Sequence, residues 1–404
     1  MAVALEGVRV ADLSHVIAGP YCTMILADLG ADVVKIEPPH GDAARGYKSP
    51  DLGGDSTVFL SYNRNKRSVV LDLSVEEGRQ VARDIVARSD ILVENFASGV
   101  MQRLGLDYAA MEKINPRLIY CSISAYGRSG PYAGRAGYDQ VVQAESGFMS
   151  LNGYPGMEPL RTPLAMIDLT TGMFAAHAVL AALYARERSG RGQYIEAALF
   201  DNAFGLTSYF TMNYLVTGEN PPPPGNMSPV AAPVGVFHAA DGRFFMTVAG
   251  QNVWRKLLQV LGNPPELLAA EFADNSARVH NEPQLTQILG RLFGQAPLAH
   301  WITRMQAGGV PAGPIRSIAE AVNSPEVKQR AVLGKAPHSK AGEVPNLRLP
   351  LELAGTPLRA PQGAPVLGEH TRAVLSELLH YDAARIAGLE QKGVIPPAPA
   401  DIGD

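Results

Sequence analysis

Apolar runs too short for helices alternate with longer amphipathic stretches from Val8 to Phe200, and that alternation predicts the architecture. Val8 to Leu13 reads as a strand, SHVIAGP turns into a helix from Tyr21 to Leu29, and Asp32 to Ile36 reads as the next strand. Further strands are expected at Arg67–Leu73, Ile91–Glu94, Leu118–Ser124 and Tyr194–Phe200. Between them fall helices at Val75–Arg88 and Gln140–Ser146 and a helical turn at Val100–Leu104. The fold class is therefore α/β, with a largely parallel sheet covered by helices on both faces.

An Ala-rich helix is predicted from Leu169 to Arg186, ended by a glycine turn at Ser189–Gly192. Met173, His177, Leu180 and Tyr184 recur on it at helical spacing and predict its buried stripe, while the alanines between them allow close packing. A helix from Asn202 to Thr217 leads into ENPPPPGNMSPVAAP, whose prolines make a stiff connector. Beyond it Gly235–Phe237 and Phe244–Val248 read as a hairpin across Ala240–Gly242. Helices at Val253–Leu261, Glu282–Phe293 and Leu298–Ala307 complete a smaller α+β unit, followed by short helices at Ile318–Val322 and Pro325–Arg330. The predicted division is 1–200 for the large domain, 201–232 for a linker helix and connector, and 233–325 for the small domain. Residues 326–404 return to the large domain, with a helix at Thr371–Leu379 and a mobile PPAPADIGD tail.

Composition narrows the class. The 404-residue chain is 46% hydrophobic with a formal net charge of -4, which suits a sizeable core and one large or two to three ordinary domains. No basic footprint points to nucleic acid or to an anionic membrane, so small molecules are the expected partners. Cys22 and Cys121, far apart in sequence, suit neither a disulfide framework nor a metal cluster and fit a reducing compartment. The N-terminus lacks a basic segment followed by a long apolar run, and no uninterrupted apolar stretch approaches the ~18 residues of a membrane span, so the expected location is the cytoplasm.

The loop after the first strand lacks GxGxxG and GxxxxGK[ST], and the chain lacks GxSxG, HExxH and CxxC. What remains is carboxylate chemistry. Asp168 is the sharpest candidate, because Asp is a favoured helix N-cap and the positive end of a helix dipole favours the ionised form that a nucleophile needs. His177 reads as a hydrogen-bonded core residue rather than a base, whereas His15, at the end of the first strand, is placed to line a site. Arg45, Lys66, Arg67, Arg103 and Arg135 are, on spacing alone, ordinary surface cations.

The blocks LEGVRVADLSHVIAGPYCTMILADLGADVVKIEPPHGD, NRNKRSVVLDL, VENFASGVMQRLGLDY, GYDQVVQAESG, MIDLTTGMFAAHAVLAALYARERSGRGQYIEAALFD and APVLGEHT follow in an order that resembles the class III CoA-transferases. This is the formyl-CoA, carnitine and bile-acid CoA-transferase family, to which the α-methylacyl-CoA racemases are related. The similarity runs through nearly the whole chain. It implies a large Rossmann-like domain made from both chain ends, a smaller domain, and a homodimer of interlocked rings. It puts the family's catalytic aspartate on Asp168. The segments that contact coenzyme A fall on His15, Val16, Ile17 and Ala18, on Leu71, Asp72, Leu73 and Ser74, on Asn95, Phe96 and Arg103, on Arg135 to Tyr138, and on Leu199. Arg103 is thereby expected to meet a CoA phosphate or the adenine. Acyl-CoA and a carboxylic acid are the implied substrates, with no metal and no tightly bound cofactor.

Racemases pair the same aspartate with a histidine in a GHD block, which here is Gly137, Tyr138 and Asp139. Tyrosine titrates near 10 and is a poor base at neutral pH, which favours transfer over racemisation. Against the formyl-CoA transferase pattern, Ile17 replaces a glutamine, Pro38 an arginine, and Gly225–Pro233 a run of glycines, so an acid larger or less polar than oxalate is expected. The resemblance points to succinyl-CoA as donor and an itaconate-, mesaconate-, malate- or citramalate-like acceptor, with Arg45 and Arg64 available for a second carboxylate. A carnitine- or aryl-type acceptor would use an aromatic cage, with Tyr126, Tyr132 and Phe148 as candidates. A non-enzymatic CoA-binding role would leave no adduct on Asp168.

Overall fold

The computed structural model describes residues 2–397, so the tail from 398 onward, part of the segment expected to be mobile, lies outside the described residues. Six strands form one all-parallel sheet: β1 (Arg9–Asp12), β2 (Asp32–Glu37), β3 (Lys66–Val70), β4 (Ile91–Glu94), β5 (Ile119–Ser124) and β6 (Tyr194–Ala198). Their spatial order is β3-β2-β1-β4-β5-β6, the doubly wound arrangement whose direction reverses between β1 and β4. Alternation along the strands loads both faces. Ala11, Val34 and Leu92 enter one core, and Val10, Val33, Ile91 and Val93 enter the other.

Helices α1 (Ala18–Asp28), α2 (Glu76–Ala87), α3 (Asp139–Glu145), α4 (Met166–Ser189) and α5 (Leu199–Thr217) follow in chain order, with α6 (Ala383–Gln391) near the end. The first core takes Val81 and Ile85 from α2 together with Leu375, Ile386 and Leu389 from the returning C-terminal segment. The second takes α1, the small-residue face of α4 and the start of α5. Cys22 and Cys121, distant in sequence, become neighbours there, with both thiols free, buried and sharing a hydrogen bond.

The packing of α4 differs from the predicted stripe. Met173, His177 and Tyr184 are exposed, and the buried face is Ile167, Thr171, Gly172, Ala175, Ala176, Val179, Ala182 and Arg186. Close approach to α1 is the cause, since a Cβ on Gly172 would stand 2.5 Å from the Ala18 carbonyl oxygen. Large side chains cannot enter such an interface, so the small ones fill it and the bulky ones turn outward. By length and composition α4 could also cross a membrane, but its small-residue face is packed in the second core.

The chain divides into two compact units. The first comprises Met1–Phe148, Arg161–Met212 and Lys328–Asp404, and the second Met149–Leu160 and Asn213–Val327. Residues 149–160, expected in the large domain, thus belong to the second unit, and the division after Met212 falls within α5. The second unit has a three-stranded antiparallel sheet of Val234–His238, Arg243–Thr247 and Ala312–Pro314 over Phe237, Phe244, Trp254 and Phe293. In the first unit, an antiparallel pair at Leu333–His338 and Gly342–Leu347 escapes the sequence reading because Pro337 and Pro345 interrupt its strand pattern.

Candidate active site

All six strands of the sheet aim their carboxyl ends at one edge, and open α/β sheets offer a crevice there where the strand order reverses. At that edge lies a cavity of about 290 Å³. His15 to Ala18 line it after β1, Asn95 to Ala97 after β4, Ile123 to Ala125 at the end of β5, and Leu199 after β6. Gly137 and Tyr138 reach it from the approach to α3, and Asp168 from the first turn of α4. Segments scattered over 185 positions of sequence therefore share one small volume because parallel strands return the chain to the same edge.

Other candidate residues lie elsewhere. Leu71 to Ser74 follow β3 at the same edge but off this cavity, and the Leu71 side chain is closed inside the core. Arg103 is exposed beyond β4 and has no acidic partner among the described residues. Arg135 is paired with Glu145 and stands 5.0 Å from the centre of the Tyr126 ring. Tyr126 and Tyr132 are neighbours, with centroids 6.3 Å apart, but the Tyr126 hydroxyl donates to Glu145 and neither ring, nor Phe148, lines the cavity.

Arg45 and Arg64 do not stand ready for a substrate carboxylate. The Arg45 guanidinium donates to both oxygens of Glu37 at 2.8 Å, to both of Asp55 at 2.9 Å and to the Pro365 carbonyl, and it covers the Phe59 ring at 3.7 Å. Arg64 forks onto Asp28 at 2.5 to 3.1 Å. Both pairs are buried, so withdrawing either cation to a substrate would strand a buried carboxylate. Lys66 and Arg67 are likewise committed, to Asp12 and Asp32. Sequence spacing made these residues look free because their acidic partners lie on other elements.

The β1 wall of the cavity is held stiffly. The His15 N–H donates to Asn95 Oδ1 at 2.8 Å, and Asn95 Nδ2 donates back to the His15 carbonyl at 2.8 Å. Val16 adopts φ +69°, a left-handed conformation that a β-branched residue takes only when its surroundings impose it. The Asp42 carboxylate, which accepts the Val16 N–H at 3.2 Å, imposes it, and fully buried Lys35 fixes that carboxylate at 3.0 Å while donating to the Ser14 carbonyl at 2.7 Å. Burial and the Lys35 charge lower the His15 imidazole below its ordinary 6.5, so it is neutral at pH 7. Nothing in the sequence marks the convergence of Asp42 and Lys35 on this wall.

Asp168 is not the cap of its helix. The helix begins at Met166, flanked by Ala165, which offers no side-chain cap. Asp139 of α3 supplies that function instead, accepting the N–H groups of Ile167 at 2.7 Å and Asp168 at 3.1 Å on one carboxylate oxygen. The only sequence signal for Asp139 was its place in the GYD block. The Asp168 carboxyl has no hydrogen-bond partner among the described residues, and burial together with the Asp139 charge pushes it up from the ordinary 3.8 to about 7. Those effects outweigh the helix dipole, which was expected to favour the anion. A partly buried, unengaged carboxyl facing a cavity can act as a nucleophile once ionised. Among the described residues no cluster of His, Cys, Asp and Glu could hold a metal.

The model of CoA-transferase family III matches residues 5–371. A succinate–glutarate CoA-transferase of Agrobacterium fabrum is 38% identical over 93% of this chain and 95% of its own. An acetyl-CoA:oxalate CoA-transferase of Acetobacter aceti is 39% identical over 94% of this chain and 96% of its own. Among solved structures, a CaiB/BaiF family protein from Brucella suis superposes with a TM-score of 0.83 at 38% identity, covering 94% of this chain and 100% of that one. With a family match over nearly its full length and the site at the reversal of the sheet, the chain belongs to CoA-transferase family III.

Proposed function

We propose that the protein moves CoA from a dicarboxylic acyl-CoA such as succinyl-CoA to a free dicarboxylic acid, with Asp168 as the nucleophile. The observation that carries this reading is the single cavity shared by Asp168 and the His15–Ala18 and Asn95–Phe96 segments expected to contact CoA. An Asp168 oxygen attacks the thioester carbonyl and the C–S bond breaks, leaving an aspartyl acyl anhydride and CoA thiolate. The thiolate attacks the Asp168 side-chain carbonyl, expelling the donor acid and leaving an aspartyl-CoA thioester. The acceptor carboxylate then runs both steps in reverse. Covalent storage keeps the thioester's free energy from water. The N–H groups in the first turn of α1, where Ala18 borders the cavity, are the donors offered to the oxyanions.

The substrate class rests on the relatives and on one wall residue. The Agrobacterium relative is named for succinate and glutarate and the Acetobacter relative for oxalate, at almost equal identity. Ile17 on the cavity wall favours an acid with a methylene chain over oxalate, since an apolar side chain offers the second carboxylate no hydrogen bond. The test is a matrix of acyl-CoA donors against carboxylic acids, read by chromatography, in which succinyl-CoA with glutarate is expected to give a new thioester. Epimerisation of a 2-methylacyl-CoA without exchange would replace this reading by racemisation, against which Tyr138 on the wall speaks.

We also infer a homodimer working in the cytoplasm. Met173, Phe174, Tyr184 and Phe204 leave a broad apolar face on α4 and α5 open to solvent, which a second copy would cover. Two buried free thiols suit a reducing compartment. A solution mass near twice 43.1 kDa is expected by light scattering, and a single-chain mass would remove the dimer.

A further inference from the structure

We propose that Asp139 is a positioning residue for the transfer: its carboxylate clamps the first turn of α4 from outside the helix, and its fixed negative charge beside Asp168 sets the pH above which the nucleophile is armed. The inference rests on the nucleophilic role given to Asp168 above.

The clamp is a chain of hydrogen bonds from loop to helix. The Thr162 N–H donates to Gln143 Oε1 at 3.0 Å, the Gln143 amide donates to Asp139 Oδ1, and Asp139 Oδ2 receives the N–H groups of Ile167 and Asp168. The approach segment, α3 and the start of α4 are thereby tied through one buried carboxylate. A helix start capped from outside is fixed in position as well as in conformation, so the Cα of Asp168 is held against the cavity.

The charge matters because nothing cancels it. Asp139 forms no ion pair among the described residues, and its partners are an amide and two backbone N–H groups. Asp168 is faced by Asp139 from α3, by Tyr138 beside it, and by Tyr47 and Tyr62, whose phenols feel its charge. His15, on the same wall, is kept neutral by burial and by Lys35. No cation stands among these groups to favour the Asp168 anion. A carboxylate that ionises only near neutrality is a stronger nucleophile than an ordinary one, as proton affinity and nucleophilicity rise together.

Asp139→Asn keeps an oxygen for the two N–H groups and removes the charge, whereas Asp139→Ala removes both. With succinyl-CoA and glutarate, the acid limb of kcat/KM is expected near pH 7 in the wild type and about one pH unit lower in Asp139→Asn. Asp139→Ala is expected to show the same displacement with a further loss of about tenfold in kcat, as the clamp goes too. An acid limb in Asp139→Asn that overlays the wild type overturns the proposal.

A second readout needs no turnover. Because the folded Asp168 carboxyl is raised, the folded chain keeps a proton that the unfolded chain releases; stability from this site is full below about 3.8 and is lost as pH rises through about 7. The melting-temperature gain of Asp168→Asn over wild type should therefore grow across that window and level off above it. In the Asp139→Asn background the levelling should come about one unit earlier. If that curve moves while no acyl transfer is found, the coupling stands and the transferase reading falls. If transfer proceeds and neither curve moves, the coupling falls.

Discussion

Asp168→Ala is expected to lower acyl exchange by at least about 10³-fold while CoA binding changes by no more than a few-fold. The carboxylate oxygens form and break every covalent bond on the proposed path, so alanine leaves no group to carry the acyl or the CoA. Asp168 is the one carboxylate among the residues lining the cavity, and Asp139 is closed upon backbone N–H groups and cannot stand in. Chromatography of thioesters gives the rate, calorimetry the affinity, and intact mass after incubation with acyl-CoA the adduct, expected in the wild type and missing in the variant. Retained exchange in Asp168→Ala would end the nucleophile assignment.

Gly172→Val is expected to cost about 3 kcal/mol of folding stability and to lower kcat/KM more than tenfold. The would-be Cβ lies 2.5 Å from the Ala18 carbonyl oxygen and 3.3 Å from the Cys22 nitrogen, both backbone atoms that no rotamer change can clear. The two helices must part. Gly172 stands one turn beyond Asp168 on α4, and Ala18 is both its contact on α1 and part of the cavity wall, so parting them moves the nucleophile away from the CoA-facing wall. Gly172→Ala should be milder, since the helix gains about 1 kcal/mol from losing a glycine and the helices need open less. Urea unfolding measures the first effect and steady-state kinetics the second. A Gly172→Val enzyme with wild-type stability would show that the interface yields without strain.

Periodicity alone located the six sheet strands, because alternation along each strand has to load two buried faces. The packing direction of α4 was not legible in the same way. Met173, His177 and Tyr184 have helical spacing, but what decides the buried face is how near α1 comes, and that distance is a property of two helices. Five of the six short segments around the cavity can be picked out by family resemblance, the exception being Ile123–Ala125, yet their convergence follows only from strand order. Charged residues were the least legible. Arg45, Arg64 and Lys66 look alike as isolated letters, and their partners Glu37 with Asp55, Asp28 and Asp12 come from separate elements. Asp168 stands out in the sequence as a helix cap, but it lies inside the first turn rather than capping it, and its environment resists ionisation instead of favouring it.

The return of the C-terminal segment governs the order in which the chain can fold during synthesis. The core on the α2 face of the sheet includes Val374, Leu375, Leu389 and Val394, and the Val70 and Asp72 N–H groups find their partners on Thr371 and Val394. Strands made first on the ribosome must wait, with one apolar face incomplete, for residues made last. The second unit, which lies almost wholly in the continuous stretch Asn213–Val327, has no such wait. The smaller unit can therefore be native while the larger one is still an open sheet, and that interval is when the nascent protein most needs a chaperone.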